Sequence, residues 1–388
     1  MKRINFILVI ILFAVMAGCG GNKQSTDDLI TVDVTKSYSP KKELILQDFM
    51  DVEYIALETK DDFLNQGFVM DIGKEIILVK NNIQDGDIFV YDRTGKALRK
   101  INRKGQGGEE YVSIYIGVIL DEDNSEMFVN DISTRKILVY DLFGNFKRSF
   151  KHKEGGGSLF YTEIFNYDRN NLICYDKYNE EIPFVLISKQ DGSIIKDIKI
   201  PFKEKKILQQ SSENGTVSPG PYRTIIPFKG NWLLLELSSD TIYTFLPDYS
   251  FRPFMVRTPP LQSMDPEVFL ILRFLSARYY FMETIKNVYD FNTDRGFPKT
   301  FMMYDKQEKA MFNYTVYNGD YSTKKEIYMN WLRPVNHEIE SWQALEAHQL
   351  VESYKKGELK GKLKEIAAKL DEEDNPVIML VKHKKDKN

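Results

Sequence analysis

Short apolar runs of four to six residues recur along the chain, and polar residues with a Gly, Asn or Asp separate them. The two clearest copies each have an apolar strand, a Tyr-Asp end, a glycine turn and a second strand. Tyr91 and Tyr140 lie 49 residues apart, and so do Gly95 and Gly144. The copies occupy residues 87–98 and 136–147, with a third at 183–196 and weaker ones at 241–245 and 299–305. The pattern therefore predicts a repeated β unit.

Each of these copies follows another pair of apolar strands, so one period holds four short strands joined by tight turns. Four strands in a period of about 50 residues are typical of a β-propeller blade. The repeats predict five blades from about residue 68 to about 317, and residues 377–381 can pair with 52–57 to close the ring. Closure removes exposed sheet edges. We therefore expect an all-β fold, a six-bladed β-propeller over residues 40–388.

Two segments depart from the blade pattern. Asp265-Pro266 resembles a helix start followed by apolar residues, which predicts a buried helical insertion at about 263–277 between blades four and five. A second helical segment is expected at about 341–373, where Leu359, Leu363 and Ile366 share a stripe. We expect this C-terminal segment to pack near the closing blade.

The N-terminus has the pattern of a targeting segment. Lys2 and Arg3 precede a short apolar run, and Met16-Ala17-Gly18-Cys19 resembles a bacterial lipobox. We therefore expect residues 1–18 to be a lipoprotein signal peptide and Cys19 to be the lipidated first residue of the mature chain. Residues 19–39 are polar and rich in Gly, Ser and Thr, which predicts a flexible tether.

Composition and charge narrow the class of protein. With 53 Lys+Arg against 56 Asp+Glu the net charge is −3, and 43% of the 388 residues are hydrophobic. A chain this long and apolar can bury a large core, and its balanced charge argues against a nucleic-acid partner. The mature chain would keep Cys174 as its single free thiol, in an apolar strand-like run typical of the core.

The Tyr-Asp…Gly turns, the connector at 104–111, the opening 52–59 and the closing 372–380 together resemble the NHL-related six-bladed β-propeller lipoproteins of Bacteroidota. The resemblance covers about residues 49–382. It implies a propeller fold and a cell-envelope location, at the surface or in the periplasm. It implies no established activity.

Motifs for catalysis, metals or cofactors are not found in the sequence. The glycines at 104–108 lack the Gly-Lys-Ser/Thr ending of a phosphate loop, and Gly107 and Gly156 repeat 49 apart as blade connectors would. The four histidines have no His-x-x-x-His spacing. We expect no cofactor, no metal and no identifiable catalytic residue, although residues distant in sequence can meet in a fold.

One rim of the propeller is the expected place for a ligand, because the loops from outer to inner strands and those between second and third strands meet there. A mixture of Tyr, Arg and Asp suits a polar ligand, since aromatic rings stack and charged groups orient it. The candidate ligand-binding residues are Asn82, Arg103, Glu109, Tyr111, Asp131, Arg135, Asp176, Tyr178, Tyr222, Arg223 and Asp240.

Two functions of different class remain open. The favoured one is a non-catalytic binding or scaffold module for a glycan, peptide or envelope protein, held at the outer membrane through Cys19 and monomeric. The alternative is a hydrolase or lyase with carboxylate, Arg and Tyr groups in the propeller funnel. Two carboxyl groups with strongly shifted pKa values, about 5–10 Å apart in the funnel, would favour the enzyme.

Overall fold

Six small antiparallel sheets surround a central axis in the computed structural model. It describes residues 29–81, 85–114, 117–152, 154–155, 157–158, 161–213, 215–330, 332 and 334–384. The predicted signal peptide and Cys19 lie outside these residues. The all-β class and the six blades are confirmed.

Blades 1 to 3 are regular, with four strands each in the order of the chain from the axis outward. A shift of pairing register marks the glycine turn before the fourth strand of each. Their strands are Phe68–Ile72, Ile76–Lys80, Asp87–Asp92 and Ala97–Asn102; Val118–Asp121, Glu126–Asp131, Lys136–Asp141 and Phe146–Lys151; and Glu163–Asn166, Asn171–Tyr175, Phe184–Ser188 and Ile194–Ile198.

Blades 4 and 5 also have four strands each in chain order, and both gain further strands at their outer edges. Residues 154–155 with 157–158, Gln210–Ser212 with Gly215–Val217, and Tyr289–Asp290 with Arg295–Gly296 form small separate ladders in connectors. The strands of the two blades are Ile225–Phe228, Asn231–Leu234, Thr241–Phe245 and Phe251–Thr258; and Val268–Leu275, Tyr279–Lys286, Lys299–Asp305 and Ala310–Tyr317, which pairs with Glu326–Ile327.

Blade 6 closes the ring with strands from both ends of the chain. Val377–His383 pairs on one side with Ile339–Leu345 and on the other with Met50–Ala56. This confirms the predicted pairing of 377–381 with 52–57. Among the described residues the blade has three strands, and Ile339–Leu345 is the innermost of them.

Residues 29–49 form a belt around the outside of blades 4 to 6, which corrects the expected flexible tether over 29–39; its part at 19–28 lies outside the described residues. Ile30–Asp33 pairs in parallel with the outer strand of blade 4, and Lys41–Ile45 does the same on blade 5. A helical turn, Leu46–Phe49, then leads into blade 6. Val32 is fully buried, so apolar side chains bind the segment to the propeller although its composition is that of a linker.

The expected helical insertion at 263–277 is wrong. A 3₁₀ turn, Leu261–Ser263, precedes Val268–Leu275, which is the innermost strand of blade 5. This strand pairs along its whole length with Tyr279–Lys286. An unbroken apolar run fits a strand buried on both faces as well as a helix, and here the sheet neighbour decides between them.

The C-terminal segment expected to be helical at 341–373 begins as a strand of blade 6. Two short helices follow it, Ala347–Lys355 and Gly361–Ala367. Leu350 and Leu363 pack into the apolar cluster between blades 5 and 6. Within the described part of the chain, no helix has the length and apolar character needed to cross a membrane.

Apolar clusters between neighbouring blades form the core. Side chains of one strand alternate between two clusters: Leu78 contacts blade 2, whereas Ile77 and Val79 contact blade 6. Six such clusters join the six blades, and Cys174 is fully buried in the one between blades 2 and 3. Burial raises the pKa of this thiol, as expected for a core residue.

Candidate functional site

A cavity opens at each end of the propeller axis. The upper cavity, of about 470 Å³, lies where the innermost strands of blades 1, 3 and 4 begin. The lower cavity, of about 300 Å³, lies where the innermost strands of blades 1, 2 and 3 end. We call these two faces of the ring upper and lower.

The upper cavity is lined by the first residues of inner strands, the last residues of second strands and one long connector. Its lining combines aromatic rings, three cations and one carboxylate. The lining residues are Phe68, Val69, Met70, Lys80, Thr162, Glu163, Tyr175, Lys177, Leu208, Ser218, Gly220, Pro221, Tyr222, Arg223, Thr224 and Trp342.

Glu163, the carboxylate in that lining, is fully engaged by its neighbours. One oxygen lies 3.1 Å from Arg223 Nη1, and the other accepts hydrogen bonds from the amide and hydroxyl of Thr224. The Arg223 guanidinium carbon is 4.8 Å from the ring centre of Phe165, which lines the lower cavity. Arg223 therefore lies between the two cavities, at the floor of the upper one.

Two further ion pairs stand behind the cavity wall. Lys205 Nζ lies 2.8 Å from Glu236, a fully buried carboxylate that also accepts a hydrogen bond from the Tyr175 hydroxyl. Arg273 is paired with the fully buried Glu283. These carboxylates are therefore neutralised by cations other than the two lysines of the lining.

Lys80 is buried, with 5% of its surface exposed, and forms no ion pair with any described residue. Its ammonium donates to the carbonyl of Asn81 at 3.0 Å and lies 4.8 Å from the ring centre of Phe68. Burial lowers the pKa of Lys80, and the charge of Asp85 opposes this only partly. The position is thus costly for a cation.

Lys177 approaches the cavity from blade 3; it is half-buried rather than buried, but it also lacks an ion-pair partner among the described residues. Its ammonium donates to the side-chain oxygen of Gln209 at 3.3 Å, and no carboxylate of the described chain pairs with it. Burial, followed by the charge of Lys205, lowers the pKa of Lys177. With Arg223 balanced by Glu163, the lining has an excess of two positive charges.

Aromatic residues provide the apolar walls. The rings of Phe68 and Trp342 meet edge to face with centres 5.5 Å apart, and Trp342 is partly exposed. Tyr222 is also partly exposed, and burial together with the charges of Glu236 and Glu163 raises its pKa. Tyr222 is therefore a neutral phenol at physiological pH.

The connector from blade 3 to blade 4 forms the remaining wall. Its residues Pro219 and Pro221 accept hydrogen bonds through their carbonyls from Lys299 Nζ at 3.2 Å and Arg273 Nη1 at 2.8 Å. Gln210 donates to the carbonyl of Asn287 at 2.9 Å. Blade 5 thus holds the connector in place beside the cavity.

The lower cavity has a different character. Its lining includes Asp71, Asp121, Glu122 and Asp123 with a single lysine, Lys74. The carboxylate of Asp71 accepts hydrogen bonds from the amides of Ile72 and Leu120 at 2.8 Å each. Burial raises the pKa of Asp71 to about 6, with the amides and Arg223 acting against this.

A second carboxyl of raised pKa lies near this lower end. Glu340 is fully buried at the start of the inner strand of blade 6, and burial raises its pKa. One of its oxygens accepts the amide of Leu275 at 2.7 Å, and the other lies 3.1 Å from His383 Nε2. Both carboxyl groups thus have partners within the blades.

Two of the predicted ligand-binding residues, Tyr222 and Arg223, line the upper cavity. Asn82 lies outside the described residues. The others are not part of the upper lining, and a ligand role for them stays a prediction: Arg103, Glu109, Tyr111, Asp131, Arg135, Asp176, Tyr178 and Asp240.

Most of these eight have roles within the blades or their connectors. Tyr111 is fully buried and donates to the carbonyl of Gly86 at 2.6 Å, while Glu109 offers its carbonyl to Tyr140. Arg103 Nε donates to the carbonyl of Gly144, and the carbonyl of Arg135 accepts the amide of His152.

The three aspartates among them order turns. Asp131 accepts the amides of Val112 and Ser133, Asp176 accepts that of Tyr178, and Asp240 accepts that of Leu261 at 2.6 Å. Tyr178 itself is 51% exposed. Side-chain contacts thus account for Tyr111, Arg103 and the three aspartates without a ligand, whereas Glu109 and Arg135 take part through their main-chain carbonyls.

Sequence reasoning missed Lys80, Lys177, Glu163 and Trp342. Lys80 ends one apolar second strand and Lys177 follows another, at the end that faces the upper rim, and a lysine there is not distinctive. The four residues come from blades 1, 3 and 6, so they line one cavity only because these blades meet at the axis. No group of three or more His, Cys, Asp or Glu suited to a metal ion occurs among the described residues.

The chain belongs to a family defined by a domain of unknown function, DUF4934, whose model matches residues 29–382. That range includes the N-terminal belt as well as all six blades. A search of curated protein sequences gives no match.

Two solved structures are similar to this chain, and the first of them shares the fold. A protein described as exported, from Bacteroides fragilis, is 17% identical, with 92% of this chain and all of that chain covered at a TM-score of 0.61. A member of the DUF4221 family from Bacteroides vulgatus is 8% identical, with 87% and 98% covered at a TM-score of 0.47. At such identities the first similarity supports the propeller fold alone.

Proposed function

We propose that the protein is a non-catalytic binding module of the cell envelope, with its ligand in the upper cavity. The single observation that carries this proposal is the open cavity of about 470 Å³, in which partly exposed aromatic rings stand beside polar groups from several blades. Pockets of this volume hold small ligands, and aromatic faces with a few polar groups are typical of them.

Binding is favoured over the alternative of a hydrolase or lyase. The carboxylate of the described upper lining, Glu163, is engaged at both oxygens, so no pair of free carboxyl groups is available there for acid and base catalysis. Asp71 and Glu340, whose pKa values are raised, belong to the lower half and are bound to backbone amides.

The envelope part of the proposal rests on Cys19 and on the segment before it. Lipidation of Cys19, an outer-membrane location and a relation to NHL-type propellers are parts of this proposal. Because the belt begins at Ile30, residues 20–29 would link the lipid to blade 4 over at most roughly 35 Å. The propeller would thus be held close to the bilayer.

The anchor is tested by fractionation. Cys19→Ser should leave the protein unprocessed or release it from membranes, whereas the unchanged protein should be recovered from the membrane fraction as a processed form. A Cys19→Ser protein that is still processed and still membrane-bound would contradict lipidation at this residue.

The binding site is tested by a thermal-shift screen of glycans and peptides on the full mature chain, followed by equilibrium titration of each hit. Trp342→Phe should weaken binding of a genuine ligand severalfold, because Trp342 lines the upper cavity. Trp232→Phe is the matched control, since Trp232 lines the lower cavity. If both variants weaken binding equally, or if neither weakens it, a site in the upper cavity is contradicted.

A further inference from the structure

We propose that the ligand of the upper cavity is an acidic saccharide of one or two rings, whose carboxylate or sulfate is bound by Lys80 and Lys177. This inference rests on the proposed function and adds the chemical class of the ligand. It follows from the charge of the lining: three cations of three different connectors or strands face a cavity with one carboxylate, and that carboxylate is already paired.

The contrast within the neighbourhood is what points to a ligand. Glu163, Glu236 and Glu283 are each paired with an arginine or lysine, so the protein neutralises the other charges near this cavity. Lys80 and Lys177 are the exceptions in the described chain around it. Lys80 is buried and Lys177 is half-buried. A cation withdrawn from water without a nearby counter-charge destabilises a fold, most of all when it is buried, and an anion bound by the two lysines removes that cost.

The donors of both lysines are only partly used. Each ammonium has three N–H groups, and the described contacts are one to the Asn81 carbonyl for Lys80 and one to Gln209 for Lys177. Arg223 Nε has no hydrogen-bond partner among the described residues. Hydrogen bonds from charged donors to an oxyanion are stronger than neutral ones, so spare donors of this kind favour an acidic group.

The walls indicate what carries the acidic group. Trp342 and Tyr222 are partly exposed rings at the cavity, and Phe68 stands against Trp342. An aromatic face packs against the C–H face of a sugar ring while the hydroxyl groups remain free for polar contacts. A volume of about 470 Å³ limits the ligand to one or two rings in the cavity itself.

Three probes separate the sources of negative charge: digalacturonate for the carboxylate, sulfated galactobiose for the sulfate, and neutral galactobiose. They are titrated into the full mature chain and into Lys80→Gln, Lys177→Gln and Lys80→Arg. Lys196→Gln is the matched control, because Lys196 is exposed on the outer strand of blade 3 and its loss changes the net charge equally.

One or both acidic probes should bind at least about tenfold more tightly than the neutral one. Lys80→Gln and Lys177→Gln should each reduce that preference about tenfold or more, since a hydrogen bond to a charged group is worth about 1.5–3 kcal/mol. Lys80→Arg should retain part of it, and Lys196→Gln should leave it unchanged. The tighter of the two acidic probes identifies the acidic group.

The inference and the proposed function fail in different ways. Equal affinity for acidic and neutral probes, or a preference that neither lysine variant reduces, would overturn the acidic saccharide and leave a binding site in place. If peptides bind and no saccharide does, the acidic saccharide is likewise overturned and the binding site is retained. If no saccharide and no peptide binds to a folded protein, both are overturned.

Discussion

Two buried lysines of this propeller have nearly the same exposure and very different surroundings. Lys189, near the lower face, is 4% exposed, and its ammonium lies 2.6 Å from Asp121 and 2.6 Å from the carbonyl of Asp168. Lys80, at the upper cavity, is 5% exposed, and among the described residues its ammonium contacts one carbonyl at 3.0 Å and one aromatic ring. Lys189 thus has a counter-charge within the fold, whereas Lys80 has none in the described part of the chain.

The difference extends to the two faces as a whole. On the lower face, short turns fasten one blade to the next: Glu122 of blade 2 accepts three backbone amides of blade 1, at 2.6, 3.0 and 2.9 Å. Asn124 donates to the carbonyl of Arg169 in blade 3. The upper face instead has long connectors, and two lysines there have no ion pair with any residue that the structure describes. The contacts of the lower face thus stabilise the ring. The upper face contributes fewer such contacts, so its side chains can bind a ligand with little loss of stability.

The largest effect is expected from Lys189→Met. Removing this lysine leaves the buried Asp121 without its cation, which should lower the free energy of unfolding by about 3–5 kcal/mol. Urea denaturation followed by circular dichroism measures it. The double variant Asp121→Asn with Lys189→Met should recover part of the loss. If Lys189→Met is as stable as the unchanged protein, the ion pair of Lys189 with Asp121 does not stabilise the lower face.

Asp71 should make the stability of the lower end depend on pH. Its pKa in the folded protein is raised from 3.8 to about 6, so its contribution to stability is fully present below pH 4 and is lost as the pH rises through 6. The difference in unfolding free energy between the unchanged protein and Asp71→Asn should fall by about 1–3 kcal/mol from pH 4 to pH 7.

Urea titrations at several pH values measure that difference. Asp191→Asn is a suitable control, because Asp191 lies in an exposed turn and hydrogen bonds from Ser193 lower its pKa. The difference in unfolding free energy between the unchanged protein and Asp191→Asn should stay nearly constant from pH 4 to pH 7. A difference for Asp71→Asn that also stays flat would mean that Asp71 is as well solvated as a surface carboxylate.

The smallest effect, and one of opposite sign, is expected from Lys80→Met without ligand. Since Lys80 has no ion pair among the described residues, replacing it with an apolar side chain of similar length should raise the free energy of unfolding by up to about 1 kcal/mol. The same urea experiment measures it. A loss of several kcal/mol, as expected for Lys189→Met, would remove the contrast between the two faces.

The repeat itself was predictable from the sequence. The spacing of Tyr91 and Tyr140 and the apolar run at 377–381 indicated blades and their closure, because local strand and turn preferences agree with the final fold. The belt strand Ile30–Asp33 was not predictable in this way. It pairs in parallel with residues more than 200 positions away, and its neighbours have the composition of a linker.

The predictions for the inner strand of blade 5 and for the candidate site were incomplete for a related reason: both depend on neighbours that are distant in the sequence. Val268–Leu275 is apolar almost throughout, so its period does not distinguish strand from helix, and the Asp265-Pro266 pair favoured the wrong one. Lys80 and Lys177 are ordinary in sequence. The two lysines are candidates for ligand binding because no carboxylate of the described chain pairs with them. Which carboxylates lie near them depends on which blades face each other across the axis.

The most direct test of the claim that recognition belongs to the upper face uses the tryptophan indole N–H signals in nuclear magnetic resonance spectra. The chain has three tryptophans; Trp342 lines the upper cavity and Trp232 the lower one. With signals assigned through single Trp→Phe variants, digalacturonate or sulfated galactobiose should shift the Trp342 resonance and leave that of Trp232 in place. A shift confined to Trp232 would contradict the account.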